Sequence, residues 1–294
     1  MSPRSSSKPE GRTLTMTPDV RITYDESNES YHNGSELSLG STLINMSISQ
    51  GLPALSHALL NKDKQEPKPH FMEGTLWHMV QEKRWNADQL REHIEIVPQE
   101  FVTTGGSLST SKASKVWIAD QQALGKMFLL PKSFDNFVLM IKKFWENEAV
   151  REIESEDGIR EMSVRVKLEK YPFLLKARPD YFTNANKLVD YKTTKESNVI
   201  NTWKKSAYKY GYGLSAALYG MLLDIAGMKP SPMHFIVTST ATFETQVFRI
   251  TQESLDLQKQ FLNAALANIK INWDDIASGI VKHHGVGDIH DLEL

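Results

Sequence analysis

The chain has 294 residues, 40% of them hydrophobic, and a formal net charge of −2. That is enough apolar material for one elaborated core, and too little positive charge to hold nucleic acid by bulk electrostatics alone. It has no cysteine, which excludes disulfides and thiolate metal sites and fits a reducing, cytoplasmic setting. No apolar run approaches the length of a membrane span and the amino terminus carries no signal-peptide pattern, so neither insertion nor export is expected.

Residues 1–35 are Ser-rich and polar with few apolar anchors, and read as a flexible arm in which Pro18-Asp19 marks a turn. Residues 36–280 read as a single domain, with residues 281–294 a polar tail whose three histidines lack any metal-type spacing. Within the domain, 37–60 is small and apolar with Pro53 at a helix start, and 62–70 is a charged loop. A helix is expected over 73–83, and a short helix leading into a strand over 87–96. The Gly-Ser-Thr stretch within 101–114 lacks a phosphate-loop frame and reads as a polar loop near the substrate. Helices follow over 113–127, 133–147 and 148–156; the second carries Phe137, Met140, Ile141 and Phe144 at helical spacing, a core stripe.

Two strands are expected between Arg160 and Lys176, joined near Tyr171-Pro172, with Asp180 at the end of the second, just past Pro179. The turn formers of 182–187 then allow a hairpin with Lys187-Leu188-Val189-Asp190-Tyr191-Lys192. Side chains alternate along a strand, so Asp190 and Lys192 share a face and Tyr191 points the other way. The hairpin sets Asp180 beside Asp190. Two adjacent carboxylates are costly unless a cation shares them, and an all-oxygen donor set favours magnesium, with manganese able to substitute. Lys192 could orient or deprotonate a water or offset phosphate charge. Downstream, Lys204, Lys205 and Lys209 alternate with tyrosines including Tyr212, cations for phosphates and rings for bases; with Arg178 they are the candidate DNA contacts. A solvated helix face with half-buried tyrosines is the equal alternative. Strands over 234–240 and 245–250 and an amphipathic helix over 255–269 complete the domain.

Pro179-Asp180 followed by Asp190-Tyr191-Lys192 resembles the signature of PD-(D/E)xK nucleases. Gly74-Thr75-Leu76-Trp77-His78 and the helix from Trp203 to Tyr219 extend the resemblance to the RecE-type exonucleases (exodeoxyribonuclease VIII). That family typically carries Gln-x-x-x-Tyr on the second helix; here Tyr219 is kept and Ser215 stands at the glutamine position. The resemblance implies an α/β fold, a central mixed sheet flanked by helices. It further implies Mg²⁺ held by His78, Asp180, Asp190 and the Tyr191 carbonyl, with Lys192 activating water and Glu161 a reserve acid. It implies a 5′-to-3′ exonuclease on linear double-stranded DNA that leaves 3′ single-stranded tails for phage-type recombination. A RecT-like annealing partner and a ring-shaped homo-oligomer belong to the same expectation. An endonuclease or repair nuclease on this fold, or a decayed DNA-end binding protein, are the alternatives.

Overall fold

The computed structural model describes residues 18–24, 26–34, 36–61, 69–196 and 200–281. The tail histidines and residues 62–68 lie outside these. Residues expected to form a flexible arm instead open the fold. β1 (Asp19–Thr23) pairs antiparallel with a later strand, and Asp19 is its first residue, not part of a turn. Alternation explains this: Val20 and Ile22 pack against the main core while Asp19, Arg21 and Thr23 face solvent. α1 (Asn28–Asn33), capped by the Ser27 hydroxyl, follows and buries Tyr31.

β2 (Ser38–Leu39) leads to α2 (Ser41–Ser49) and α3 (Leu52–Leu60), with Pro53 in the first turn of α3, as its missing N–H and fixed φ favour. α4 (Pro69–Lys83) carries His78 and buries Leu76, Trp77 and Val80. A reciprocal Asn86–Gln89 capping box starts α5 (Ala87–His93), which runs into β3 (Ile94–Ile96). The loop over 101–111 is closed by a Val102–Leu108 bridge, and none of its residues lines the main cleft described below. α6 (Lys112–Ala123) stops at a left-handed Gly125, so Met127, expected in the helix, begins β4 (Met127–Leu129), a parallel partner of β3. α7 (Pro131–Glu146) buries the expected stripe Phe137, Met140, Ile141 and Phe144, and Asn147 caps α8 (Glu148–Glu154).

The remaining strands are β5 (Gly158–Arg160), β6 (Ser163–Lys167), β7 (Leu174–Ala177), β8 (Tyr181–Thr183) and β9 (Leu188–Thr194). They are followed by α9 (Ile200–Lys209), α10 (Tyr212–Ile225), β10 (His234–Ser239), β11 (Thr245–Arg249), α11 (Gln252–Ile271) and α12 (Trp273–Ser278). The expected mixed sheet is divided in two. A five-stranded sheet runs β11-β10-β9-β8-β5 and a four-stranded sheet runs β1-β6-β7-β2. Arg178-Pro179-Asp180 is where the chain crosses from one sheet to the other, because Pro179 has no N–H to continue the β7 ladder. The hairpin partner of β9 is therefore β8, and Phe182 and Thr183, expected in the turn, are strand.

β9 and β10 are parallel, which requires a crossover, and α9 and α10 supply it. The single helix expected there is broken at Gly211, whose φ of 69° is left-handed. Two hydrophobic clusters meet at β9: Leu188 belongs to the cluster under α10 and α11, while Val189 and Tyr191 belong to the one built on α4 and α7. Among the described residues no helix is long and apolar enough to cross a membrane.

Candidate active site

The β8–β9 register pairs Tyr181 with Val189, so the next rung outward sets Asp180 opposite Asp190. The Tyr191 N–H donates to Asp180 Oδ2 at 2.6 Å, fixing that carboxylate against the strand. Asp190 and Lys192, on one face of β9, form an ion pair, and Lys192 Nζ also donates to the Tyr191 carbonyl at 3.2 Å. α4 brings His78 Nδ1 to 3.4 Å from Asp180 Oδ2. The sequence-predicted set His78, Asp180, Asp190, Tyr191 and Lys192 is thus brought together from three elements. His78, Asp180 and Glu161 line a cleft of about 1240 Å³ between α4, α9 and α10, which Tyr212 and Tyr219 also line.

Burial dominates the electrostatics. It pushes Asp180 and Asp190 above the usual carboxylate range, and their mutual repulsion adds to this for Asp190; Lys192 opposes both shifts. Burial also works against the Lys192 ammonium, yet Asp190 and Asp180 outweigh it and hold the lysine above its ordinary value. His78 is lowered to about 4, by burial and then by Lys192, so its imidazole is neutral near pH 7.

Glu161, the reserve acid, belongs to the site. It follows β5 with a φ of 53°, its N–H bonds the Asp180 carbonyl at 3.1 Å, and burial followed by Asp180 pushes its carboxyl up to about 8. Arg178, expected on DNA, lines the same cleft with 9% of its side chain accessible; it pairs through Nε with Glu161 Oε2 at 2.7 Å, and its guanidinium also bonds the Glu26 carbonyl. The sheet crossing turns it inward, where its charge offsets Glu161.

The donor set suits a hard divalent cation. The Lys192 ammonium stands on Asp190 Oδ2 and the Tyr191 carbonyl, two of the oxygens expected to ligate a metal, and so marks the position of a cation. Among the described residues no three His, Asp or Glu side chains are already gathered as a cation cluster, since Asp190 turns to Lys192 and Glu161 to Arg178. Asp180, Asp190, Glu161, His78 and the Tyr191 carbonyl are the groups that could hold the ion.

The remaining candidates divide by helix face. Along α9 and the turn after it, Ser206 and Tyr210 line the cleft, Lys204 and Lys209 line a separate groove, Trp203 lines both, and Lys205 lines neither. Tyr212 reaches the cleft and lies 5.4 Å from the Lys192 ammonium across its ring. Ser215 lies outside the cleft lining, its hydroxyl turned back to the Gly211 carbonyl of its own helix, while Tyr219 lines the cleft.

Sequence reasoning missed the support beneath Tyr191. Its hydroxyl donates to Glu154 Oε1 and accepts from Arg160 Nη1 at 2.7 Å. Arg160 bonds Glu154 Oε2 at 2.6 Å, stacks 3.9 Å over Tyr181, and reaches the Gln81 carbonyl on α4. Glu154 is 2% accessible. Only the buried position of an acid on a short helix could have signalled it.

The fold and the site define a PD-(D/E)xK nuclease core. The chain belongs to the family described as a PDDEXK-like domain of unknown function (DUF3799), matched over residues 49–277. Its structure is similar to that of a proposed exonuclease from Eubacterium rectale, with a TM-score of 0.52 at 14% identity, covering 88% of this chain and 89% of that one. A weaker likeness, with a TM-score of 0.27 and 11% identity over 90% of this chain and 79% of the other, is to Scheffersomyces stipitis Rai1 in complex with (3'-NADP)+ and calcium ion. No curated protein sequence matches.

Proposed function

We propose that the protein is a magnesium-dependent deoxyribonuclease, a 5′-to-3′ exonuclease on linear double-stranded DNA that leaves 3′ single-stranded tails for recombination. The observation that carries this reading is the convergence of Asp180, held by the Tyr191 N–H, with Asp190 and Lys192 on one face of β9, and a lysine ammonium already seated on the carboxylate and carbonyl oxygens a divalent ion would take.

Bound Mg²⁺, or Mn²⁺ in its place, supplies Lewis-acid stabilisation of phosphate charge and a more acidic water. Asp180, Asp190 and the Tyr191 carbonyl hold the ion, with Glu161 and His78 beside them. Neutral His78 offers a lone pair without adding positive charge. Lys192, held protonated by its carboxylates, donates to water or to a phosphate oxygen and so orients the nucleophile in line with phosphorus. Tyr212 and Tyr219 line the same cleft, Tyr212 with its ring 5.4 Å from the Lys192 ammonium. A RecT-like annealing partner, a ring-shaped homo-oligomer and a cytoplasmic role in phage-type recombination complete the proposal, supported by the motif order of His78, Asp180, Asp190, Lys192 and Tyr219.

Digestion of end-labelled linear duplex, with Mg²⁺ and with chelator, tests activity, metal and polarity together. The expected result is 5′ label released only with the metal, and a loss of about 10²-fold or more in Asp190→Ala. Unchanged digestion by Asp190→Ala would remove the catalytic assignment, and cleavage of closed circular duplex would replace exonuclease by endonuclease.

A further inference from the structure

The helix that walls the cleft has a second working face. Behind α9 lies a groove of about 620 Å³, bounded by α2, α10, α11 and β11. Its charge is opposite to that of the cleft. Glu73, Glu82, Glu161, Asp180 and Glu196 line the cleft and outnumber its cations Arg178 and Lys195, whereas Lys204, Lys209 and Arg249 line the groove and, among the described residues, no carboxylate does.

The groove also exposes rings and apolar surface that a buried core would claim. Tyr208 is 86% accessible, Phe261 50% and Ile48 53%. Exposed aromatic and apolar groups clustered beside unopposed cations mark a binding surface. The spacing is helical: Ser206 and Tyr210 turn to the cleft, and Lys204, Ala207 and Tyr208 turn to the groove. Between the two runs an aromatic partition. The Trp203 ring stacks on Tyr212 at 5.3 Å on the cleft side and on Phe248 at 5.8 Å on the groove side.

We propose that this groove binds single-stranded DNA, and that it takes the strand that is not being cleaved; this second clause rests on the exonuclease reading. Phosphates pair with Lys204, Lys209 and Arg249, and bases lie on Tyr208 and Phe261, since a ring accepts the face of any base without reading its sequence. The partition at Trp203 lets one strand lie along the acidic, metal-binding side and its partner along the basic side of one helix. An acidic protein segment would satisfy the cations but would leave the rings without stacked partners.

The test is binding of fluorescein-labelled oligothymidylate to the full chain in chelator, where no digestion occurs, followed by anisotropy across a salt series. Lys204→Gln combined with Lys209→Gln is expected to weaken binding about tenfold and to flatten the salt slope by about 1.4, the value for two phosphate contacts on a single strand. Tyr208→Ala is expected to weaken binding about tenfold with the slope unchanged, as stacking requires. All three side chains are exposed, so folding is not at stake. No binding by the unaltered chain, or unaltered affinity in both variants, overturns the proposal. So does equal displacement by a polyglutamate peptide, because then charge alone is being read. The assay contains no cleavage, so binding without any digestion of linear duplex would sustain the groove while the nuclease reading failed, and digestion without binding would do the reverse.

Discussion

Tyr191 serves the site with its backbone and the core with its ring. Its N–H fixes Asp180 and its carbonyl meets Lys192, while its hydroxyl closes the triangle with Glu154 and Arg160. Tyr191→Phe keeps the backbone groups and leaves a buried acid with one partner fewer, so a stability loss of about 1–3 kcal/mol in urea unfolding is expected, with metal-dependent digestion retained. Glu154→Ala strands the Arg160 charge, only 14% accessible, and costs more, about 3–5 kcal/mol. Equal losses in the two variants would show that the triangle does not act as a charge-paired unit. The Asp190-Tyr191-Lys192 face was legible in the sequence because a strand repeats every second residue and needs no distant partner to do so. The triangle was not, since Glu154 and Tyr191 are 37 residues apart and no local period links them. The pairing of Arg178 with Glu161 was hidden for the same reason: both are placed by the crossing between sheets, which brings Glu161 onto the Asp180 backbone and Arg178 against its carboxylate.

At the scale of elements, the turn between the first strand and the first helix is pinned to β6 by an ion pair, beside the ladder that β1 itself makes with β6. The Glu26 carboxylate takes two hydrogen bonds from Arg165 at 2.7 and 2.8 Å with 9% of its side chain accessible, and those bonds hold its pKa at about 2, against an ordinary 4.5. A depressed carboxyl pKa stabilises the fold fully above the unfolded value and loses that contribution as pH falls through the folded one. Glu26→Gln is therefore expected to cost about 1–2 kcal/mol at pH 7, with the gap from wild type beginning to close below pH 4.5 and nearly gone at pH 2, measured by urea midpoints across pH. A gap independent of pH would mean that packing, not the ion pair, holds the segment. The break between α9 and α10 rests on one residue. A Cβ at Gly211 would approach Asn45 Oδ1 to 2.4 Å, and φ is 69°, so Gly211→Ala is expected to lower stability by about 1–2 kcal/mol in thermal melts. A neutral result would argue that α9 and α10 can fuse. α7 could be read from its own residues because an amphipathic stripe is a local signal. β1 could not, because an edge strand with only Val20 and Ile22 as apolar anchors looks like an arm until β6 is present to pair with it.

Across the whole molecule the site lies on the seam between two cores. β9 contributes Leu188 to one cluster and Val189 and Tyr191 to the other, and the acids Asp180, Asp190 and Glu161 gather where the two sheets diverge. Burial raises all three carboxyls, and repulsion from Asp180 adds to it for Asp190 and Glu161, which makes the metal-free seam a place where folding free energy is given up. The proposed divalent ion would bind the folded arrangement and not the dispersed carboxylates of the unfolded chain, and so would shift the equilibrium by RT ln(1 + [L]/Kd), about 2.7 kcal/mol at a hundredfold excess over Kd. For a domain of this size that corresponds to a melting temperature raised on the order of 5–10 °C. Because β9 is shared by both clusters, the whole unfolding transition is expected to move as one, with no second phase left at the metal-free temperature. Asp180→Asn keeps the shape of the side chain and removes the charge, so it should abolish the Mg²⁺ increment while leaving a folded protein. Calorimetry with Mg²⁺ and with chelator on both forms measures this without any substrate. An unshifted wild-type transition would detach the carboxylates from metal binding, and an equal increment in Asp180→Asn would place the ion elsewhere on the molecule.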